Sequence, residues 1–400
     1  MTAVGTLGFI ERRRAVSDRA PDAVLRDETF RSREAVEALA VRWRGLEQVA
    51  GGLTLFQSLG WVQAVFDFEA RRANRGFDPV IVTLSDGQRL VAVLPVERVR
   101  TGARRILTPL GHAFGQYSDV LVAPGYDPAT VVSRLLRAAV AAAPADAVSF
   151  YKVREGSALA LGMPQRHVAT GSEQAAPFVA LDCFADYAAY FQTIKPKTRK
   201  NMRNARNRLE REGALEHRVA ETVPDTLAVV ERTLVGRAGR LKDQGLTSRA
   251  FRDSGFMDFC RSLPQRSDIS LLAFSLTHLG QPIAEQWGFV HAGRYYAFVA
   301  SRDFANSDES PGKLHLGEVI EACAERGLSG CDLGVSAMPY KLTWATESVP
   351  VTDYALPMTI KGWLVIQLWD VWLRPLLKRT VLRMPSGLRA RIFGALGRGT

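Results

Sequence analysis

The spacing of apolar and polar residues along the chain predicts a mixed succession of helices and strands. Apolar positions that recur every three to four residues indicate amphipathic helices, and short β-branched runs indicate strands. Asp86-Gly87 lies between two such runs, which is a strong signal for a β-hairpin. In the first part of the chain, helices are predicted over 33–50, 53–68 and 129–143, and strands over 79–85, 89–97, 119–123 and 147–153.

A similar order of elements recurs in the second part of the chain. Here helices are predicted over 186–213, 225–240, 248–262 and 313–326, and strands over 269–276, 282–290, 294–301 and 330–335. We interpret this recurrence as two copies of one α/β unit, over 26–178 and 179–358, with the boundary near 175–182. A polar, Arg-rich segment, 1–25, precedes them and is expected to be poorly ordered, and a tail over 359–400 follows.

Composition and charge narrow the functional classes. With 400 residues, 47% of them hydrophobic and 23% charged, the chain has an ordinary globular composition, which excludes a disordered or collagen-like protein. The net charge is +11. Two short segments account for this excess, 195–212 with +6 and 361–400 with +7, and the remainder is close to neutral. Only these local basic surfaces therefore call for an anionic partner.

The cysteines, the charges near the N-terminus and the length of the apolar runs indicate the cellular compartment of the protein. The four cysteines form no C-x-x-C pair and have no zinc-ligand spacing with histidine, so we expect buried thiols, a reducing compartment and no metal site. Charged residues 11–14 lie where a signal peptide would need an apolar core. No run reaches the length of a membrane span. We expect a cytoplasmic protein, peripheral at the inner face of the cytoplasmic membrane.

The segment 282–345 carries the most chemical information. It reads as a hairpin, a polar loop, a helix, a strand and a loop that contains Tyr340-Lys341. Ser310-Pro311-Gly312 comes immediately before the helix. Proline costs little at a helix entrance, glycine lets a ligand approach the backbone, and the free N–H groups suit a phosphate. An ordinary helix start fits the same residues.

Short motifs within this segment recur in a known family. They are Tyr295-Tyr296, Asp303, Ser310-Pro311-Gly312, Leu314, Gly327, Asp332-Leu333-Gly334, Tyr340-Lys341 and Trp344-Ala345. Together with LFQSLGW and the basic helix KTRKNMRNARNRLEREG, they resemble the CelD/BcsL-like branch of the GNAT acyltransferases, relatives of the FemAB aminoacyltransferases. The resemblance covers about residues 30–358. The chain departs from the family by lacking an acidic stretch over 335–339 and the usual glycine-rich phosphate motif.

The resemblance implies a fold, a donor and a donor site. The fold is α/β (α+β), with two tandem GNAT-like units, each a mixed, mostly antiparallel sheet flanked by helices. The donor is acyl-CoA, used as a co-substrate, with no permanently bound cofactor. By position, the cradle for the pyrophosphate of coenzyme A is Ser310, Pro311, Gly312, Lys313 and Leu314.

Acyl transfer to an amine needs a proton donor for the leaving thiolate and a route for the amine proton. Tyr340 is the candidate acid, and Lys341 is expected to hold phosphate or lower the pKa of the phenol. Asp332, at a strand end, and Glu285 are the candidate bases. For Tyr340, Asp332 and Glu285 a purely structural role is the competing interpretation. His315 is interpreted as structural.

Candidate contacts for the acceptor are His112, Asp119 and the cations of the basic helix. His112 and Asp119 are expected to face an acceptor groove, unless His112 is an ordinary loop histidine. On the basic helix, Met202, Ala205 and Leu209 form an apolar face, and its cations, Lys197, Arg199, Lys200 and Arg203 among them, are expected to contact an anionic acceptor or a membrane, or only solvent. Nucleic acid is disfavoured because no aromatic residues alternate with the cations.

The tail combines Trp363, Trp369 and Trp372 with basic residues, which suits the headgroup region of an anionic membrane. A helix packed on the protein is the alternative. The sequence thus favours an acyl-CoA-dependent N-acyltransferase whose acceptor is an amine on an envelope sugar or lipid, such as a sphingoid base in a ceramide-synthase-like reaction, or a polymer of an exopolysaccharide or cellulose pathway. The alternatives are a Fem-like aminoacyltransferase that uses aminoacyl-tRNA and a catalytically degenerate scaffold in a polysaccharide synthase complex.

Overall fold

The computed structural model describes residues 25–52, 55–246, 248–302, 311–373, 376–377 and 380. The predicted poorly ordered segment 1–25 therefore lies outside the described residues except for Leu25, and so do Ser310 and most of the tail beyond 373. No described helix has both the length and the apolar character that a membrane crossing requires.

One mixed, mostly antiparallel sheet runs through the described part of the chain. Its thirteen strands are β1 (Arg26–Phe30), β2 (Pro79–Asp86), β3 (Arg89–Thr101), β4 (Arg104–Pro109), β5 (Leu121–Val122), β6 (Ala147–Arg154), β7 (Val168–Ala180), β8 (Leu215–Val219), β9 (Ser270–His278), β10 (Gln281–His291), β11 (Arg294–Arg302), β12 (Gly330–Asp332) and β13 (Glu347–Pro357). The strand order is β1-β2-β3-β4-β6-β13-β7-β12-β11-β10-β9-β8, and β5 pairs with β3.

Helices flank the sheet. They are α1 (Arg33–Glu37), α2 (Ala40–Val49), α3 (Leu59–Arg71), α4 (Pro128–Ala142), α5 (Ala158–Gly162), α6 (Tyr187–Thr193), α7 (Pro196–Glu212), α8 (Val223–Asp243), α9 (Arg249–Arg252), α10 (Phe256–Ser262), α11 (Pro311–Glu325), α12 (Pro339–Leu342) and α13 (Ile360–Val365), followed by a π-helical segment, Ile366–Leu373. Local sequence sets their starts, since Ser58, Asp127 and Thr222 each accept a backbone N–H of the first turn.

Two parallel strand pairs mark corresponding places in the two halves of the sheet. They are β4 with β6 and β11 with β12. β12 pairs with β11 only from Arg294 to Tyr296 and ends at Asp332, whereas β11 continues to Arg302. Phe298 is the extra residue of a bulge in β11 against β10. The pairing between β11 and β12 therefore stops halfway along β11, so one side of β11 beyond Tyr296 has no strand partner among the described residues.

The last strand joins the halves. β13 lies between β6 and β7 and pairs antiparallel with both. The main core is also shared, because Trp61 of α3 packs edge-on against Phe259 of α10 at 5.2 Å between ring centroids. A second cluster, which includes Tyr295, Val319, Ile320 and Trp344, fixes α11 on the sheet. The two halves are therefore one packed body.

The predicted elements differ from the observed ones mainly at prolines and in polar strands. The predicted helix over 186–213 breaks into α6 and α7 at Pro196, which can begin a helix but removes a hydrogen bond inside one. The long central strands β7 and β13 were not predicted. They contain Pro177 and Pro350, which argue against a central strand in a sequence. Of the cysteines, Cys183 is exposed and the other three are buried free thiols.

Candidate functional site

A buried carboxylate, Asp332, lies at the end of β12, as the sequence predicted. Its side chain is 1% exposed. The Tyr117 hydroxyl donates to Asp332 Oδ1 at 2.8 Å, and the backbone N–H of Gly334 donates to the same oxygen at 2.7 Å. Arg154 forms an ion pair with Oδ2. Both oxygens are therefore engaged, so Asp332 is built to hold its neighbours in place.

The fold explains why these groups meet. Arg154 ends β6 and Asp332 ends β12, and these two strands are the second members of the two parallel pairs. Gly334 has φ of +74°, and a Cβ there would lie 2.7 Å from Gln116 Nε2, so a larger residue would disturb the hydrogen bond to Asp332. The site is thus assembled from corresponding strand ends of both halves.

Three cations lie close to this carboxylate, Arg154, Lys341 and Lys152. Lys341 Nζ donates to the Gly334 carbonyl at 2.9 Å. Burial, together with the charges of Arg237 and Lys152, lowers the pKa of Lys341 to about 8 against the opposing effect of Asp332. Burial, with Arg249, also lowers the pKa of Lys152 to about 8. Cations here outnumber the nearby carboxylates, which makes the region suited to an anionic group or a developing negative charge.

Tyr340 lies at the outer side of this group, on α12. Its side chain is 38% exposed, and the phenol is close enough to Arg237 of α8 for the two to interact electrostatically. Trp344, which is buried just after α12, accepts a hydrogen bond from the Tyr190 hydroxyl on its carbonyl at 2.5 Å. The structure therefore brings Tyr340, Lys341 and Asp332 into one region, with the phenol on the accessible side.

The predicted donor cradle is described from Pro311 onward. Pro311 and Leu314 are buried, Gly312 is half-buried and Lys313 is exposed. Leu314 packs with Ala284 of β10, which pairs with Arg302 at the end of β11. The start of α11 therefore lies near the end of β11, the strand that β12 leaves uncovered on one side beyond Tyr296. Ser310, the first cradle residue, lies outside the described residues.

Glu285, the other candidate base, has a different partner. Arg232 of α8 contacts both carboxylate oxygens, with Nε at 3.1 Å from Oε1 and 3.0 Å from Oε2 and Nη2 at 2.7 Å from Oε1. The side chain is buried. One guanidinium therefore engages both oxygens, which favours a role for Glu285 in holding α8 against β10.

His112 and Asp119 are not brought together as acceptor groups. His112 Nδ1 lies 2.9 Å from Glu97 Oε1, at a polar cavity of about 680 Å³ in the first half. Asp119 is buried and accepts the backbone N–H groups of Val120 and Leu159, which fixes the start of α5. Burial raises the pKa of Asp119 to about 6. Its contacts favour a structural role.

The basic helix is α7, and its apolar face is as predicted. Ala205 and Leu209 are buried, and Met202 packs beneath α11. Lys197, Lys200 and Arg203 are exposed and Arg199 is half-buried. These cations are available to an anionic partner, and their predicted role as acceptor contacts stays a prediction.

Sequence reasoning missed Tyr117, Lys152, Arg154 and Arg237. Three of them belong to the first half and reach the second half only through folding. The repeat offered one usable signal, because Arg154 ends the strand of the first unit that corresponds to the strand ending at Asp332. Corresponding strand ends in a repeated fold are natural places for the two halves to build a common site.

Comparisons with known proteins bear on the fold. A family model described as an acetyltransferase (GNAT) domain matches residues 196–342. The structure resembles that of FemX, with a TM-score of 0.58 and 9% identity over 86% of this chain and 100% of that one. It also resembles the C-terminal domain of a lysylphosphatidylglycerol synthetase from Agrobacterium fabrum, with a TM-score of 0.50 and 13% identity over 83% of this chain and 95% of that one.

A tandem GNAT protein from the clavulanic acid pathway is a third neighbour, with a TM-score of 0.45 and 12% identity over 83% of this chain and 98% of that one. None of the curated proteins matches the chain by sequence. The mixed sheet, the point at which β11 and β12 part and the likeness to FemX lead to one conclusion: the chain has a GNAT-type fold similar to that of FemX, and residues 196–342 match the model of a GNAT acetyltransferase domain.

Proposed function

We propose that the protein is an N-acyltransferase that moves an acyl group from coenzyme A to an amine. One observation carries the proposal. Asp332, Lys341 and Tyr340 lie where β11 and β12 part, within the region that matches the GNAT domain model, and Arg154 of the first half pairs with Asp332 there. The unpaired side of β11 offers backbone hydrogen bonds to the donor, and the free N–H groups at the start of α11 offer a place for its pyrophosphate.

The residues then have distinct roles. The amine enters unprotonated and its nitrogen attacks the thioester carbonyl carbon, the C–S bond breaks, and the thiolate takes the phenolic proton of Tyr340. The proton released from the amine passes to solvent, which also returns a proton to the phenolate. Lys341 and Arg237 supply positive charge for the oxyanion. Asp332 positions Arg154 and the Gly334 turn and does not act as the base.

The likeness to FemX favours one second candidate, a Fem-like aminoacyltransferase. In that reaction the exposed cations of α7 would contact the RNA of an aminoacyl-tRNA. A scaffold that binds neither donor is the non-enzymatic alternative. Titrations of the full chain with acyl-CoA and with aminoacyl-tRNA separate the three, because the first function requires only the thioester, the second requires the RNA, and the scaffold binds neither.

The cradle is tested by Gly312→Val. Two methyl groups at this half-buried helix start would keep the pyrophosphate away from the backbone, so we expect acyl-CoA affinity to fall at least tenfold, which is about 1.4 kcal/mol. Isothermal titration calorimetry measures the loss. Gly45→Val, on α2 with open space around its Cβ position, is the matched control and should bind normally. Unchanged affinity in a folded Gly312→Val protein would place the donor elsewhere.

We also propose that the acceptor is lipid-associated and that the protein reaches it through an apolar surface on α13 and the π-helical segment. Seven large apolar side chains are exposed there, and Trp372 has 75% of its surface accessible. The other six are Ile360, Trp363, Leu364, Leu368, Trp369 and Leu373. Part of the predicted tail is nevertheless packed on the body. Ile366 is 2% exposed, and a Cβ on Gly362 would lie 1.8 Å from the Asp146 carbonyl oxygen. Deleting everything after Pro357 would therefore uncover core residues, so point substitutions are the cleaner test.

The double variant Trp369→Ser/Trp372→Ser should bind vesicles of acidic phospholipid at least tenfold more weakly than the unmodified chain. The two indoles supply an apolar contribution that salt does not screen, whereas the attraction of cations to acidic lipid weakens as salt rises. Co-sedimentation at low and high salt measures both effects. Val41→Ser/Leu161→Ser, which removes two exposed apolar side chains elsewhere, is the control. Equal sedimentation of the two double variants would rule out this surface.

A further inference from the structure

A second group of polar side chains, two of them buried and one half-buried, takes no part in the proposed acyl transfer. It consists of His217 on β8 and of His315 and Glu318, which lie three residues apart on α11. One nitrogen or oxygen atom of each lies within 4.8 Å of the corresponding atoms of the other two. His217 is distant in sequence from the other two residues, so the sequence analysis predicted no metal site here.

The potential ligand atoms of this group have no hydrogen-bond partner. Both ring nitrogens of His315, Nε2 of His217 and Oε2 of Glu318 are buried and unpaired. His315 is only 3% exposed. A buried polar atom without a partner costs about 1–3 kcal/mol, and one such atom from each of the three residues lies in this group, which calls for a ligand that accepts their lone pairs.

The surroundings orient the carboxylate and keep the imidazoles neutral. Arg206 of α7 pairs with Oε1 of Glu318, which leaves Oε2 directed away from the arginine. Burial lowers the pKa of His217 to about 4 and that of His315 to about 3. Neutral imidazole is the form that binds a metal ion. Glu210 and Glu321 add negative charge close to Glu318.

We propose that His217, His315 and Glu318 bind a zinc ion. Two imidazole nitrogens and one carboxylate oxygen are a donor set that suits zinc, with water as the fourth ligand. In a tetrahedral site with bonds of about 2.0–2.1 Å to zinc, the ligand atoms lie about 3.4 Å from one another. The three candidate atoms here already lie within 4.8 Å of one another, so small side-chain rotations bring them to that distance. The ion would fasten the edge strand β8 to α11, the helix whose first residues form the proposed donor cradle.

Metal content and thermal stability of the full chain test this inference. We expect one zinc per chain by elemental mass spectrometry after dialysis, and a rise in Tm of about 3 °C or more when zinc is added to chelator-treated protein. His217→Ala and Glu318→Gln should abolish both effects. His217 is half-buried on an edge strand, so its replacement leaves the main core intact.

Two controls separate this site from adventitious binding. His291→Ala removes another histidine whose Nε2 is buried and unpaired, and Cys183→Ser removes the exposed thiol, and both variants should retain the zinc. Less than one zinc per five chains in the unmodified protein would overturn the inference, as would equal stabilisation of His217→Ala by zinc. Because both readouts are independent of acyl transfer, they remain informative even if the proposed function is wrong.

Discussion

Replacing Tyr340 with phenylalanine is expected to lower turnover by about 10²–10⁴-fold, the usual contribution of one proton-transfer group, with little change in acyl-CoA affinity. The phenol is accessible and lies near Arg237, which would stabilise the phenolate formed when the thiolate takes the proton. Phenylalanine keeps the ring and removes only the hydroxyl. The loss should therefore fall on the chemical step and not on donor binding.

Steady-state kinetics with an acyl-CoA and a soluble amine, together with calorimetric affinity for the acyl-CoA, measure the two quantities separately. Tyr126→Phe is the matched control, because it removes a half-buried hydroxyl in the first half that donates to Asp86 at 2.9 Å. Its turnover should stay within about threefold of the unmodified enzyme, since no proton-transfer step involves it. A similarly small effect in Tyr340→Phe would show that Tyr340 is structural.

Asp332→Asn should destabilise the folded protein by about 3–5 kcal/mol, the cost of breaking a buried ion pair by removing one partner. The amide cannot balance the charge of Arg154, and Lys341 and Lys152 lose the carboxylate that favours their protonated forms. The pKa of Lys341 should consequently fall further below about 8 in the variant. If activity requires the protonated amine of Lys341, the variant should lose that activity at a lower pH than the unmodified chain.

Equilibrium urea unfolding at pH 7 measures the first effect, and pH–rate profiles measure the second. Asp258→Asn is the control, because it removes an exposed carboxylate paired with Arg261 and should cost less than about 1 kcal/mol. If Asp332→Asn is no more destabilising than this control, the ion pair does not hold the two halves of the site together.

The sequence predicted correctly those helices and strands whose own residues indicate their structure. The hairpin at Asp86-Gly87, α4, α11 and the short strand that ends in Asp332 all follow from local patterning and turn residues. The strands β7 and β13 could not be recognised this way. They are central because other strands lie on both sides of them, and their own residues, with three prolines and alternating polar positions, indicate loops.

The same distinction, between local signals and contacts of distant residues, holds for the candidate site. Tyr340, Lys341 and Asp332 come from one continuous motif and were predicted together, whereas Arg154 and Tyr117 depend on contacts between residues far apart in the chain. Glu285 was a reasonable candidate as a carboxylate on a strand near the cleft. Only the structure reveals Arg232 against both of its oxygens, because a helix-to-strand contact of this kind leaves no mark on local spacing.

The position of β13 between β6 and β7 has a consequence for how the chain reaches its folded state. β6 is complete at residue 154, but the strand that covers its edge begins only at residue 347. Pairing of such distant segments is slow, because much loop-closure entropy is lost before the contact forms. During synthesis from the N-terminus, the emerging first half therefore exposes an unpaired, largely apolar strand edge until the second half is almost finished, and that edge is the point at which nascent chains would associate with one another.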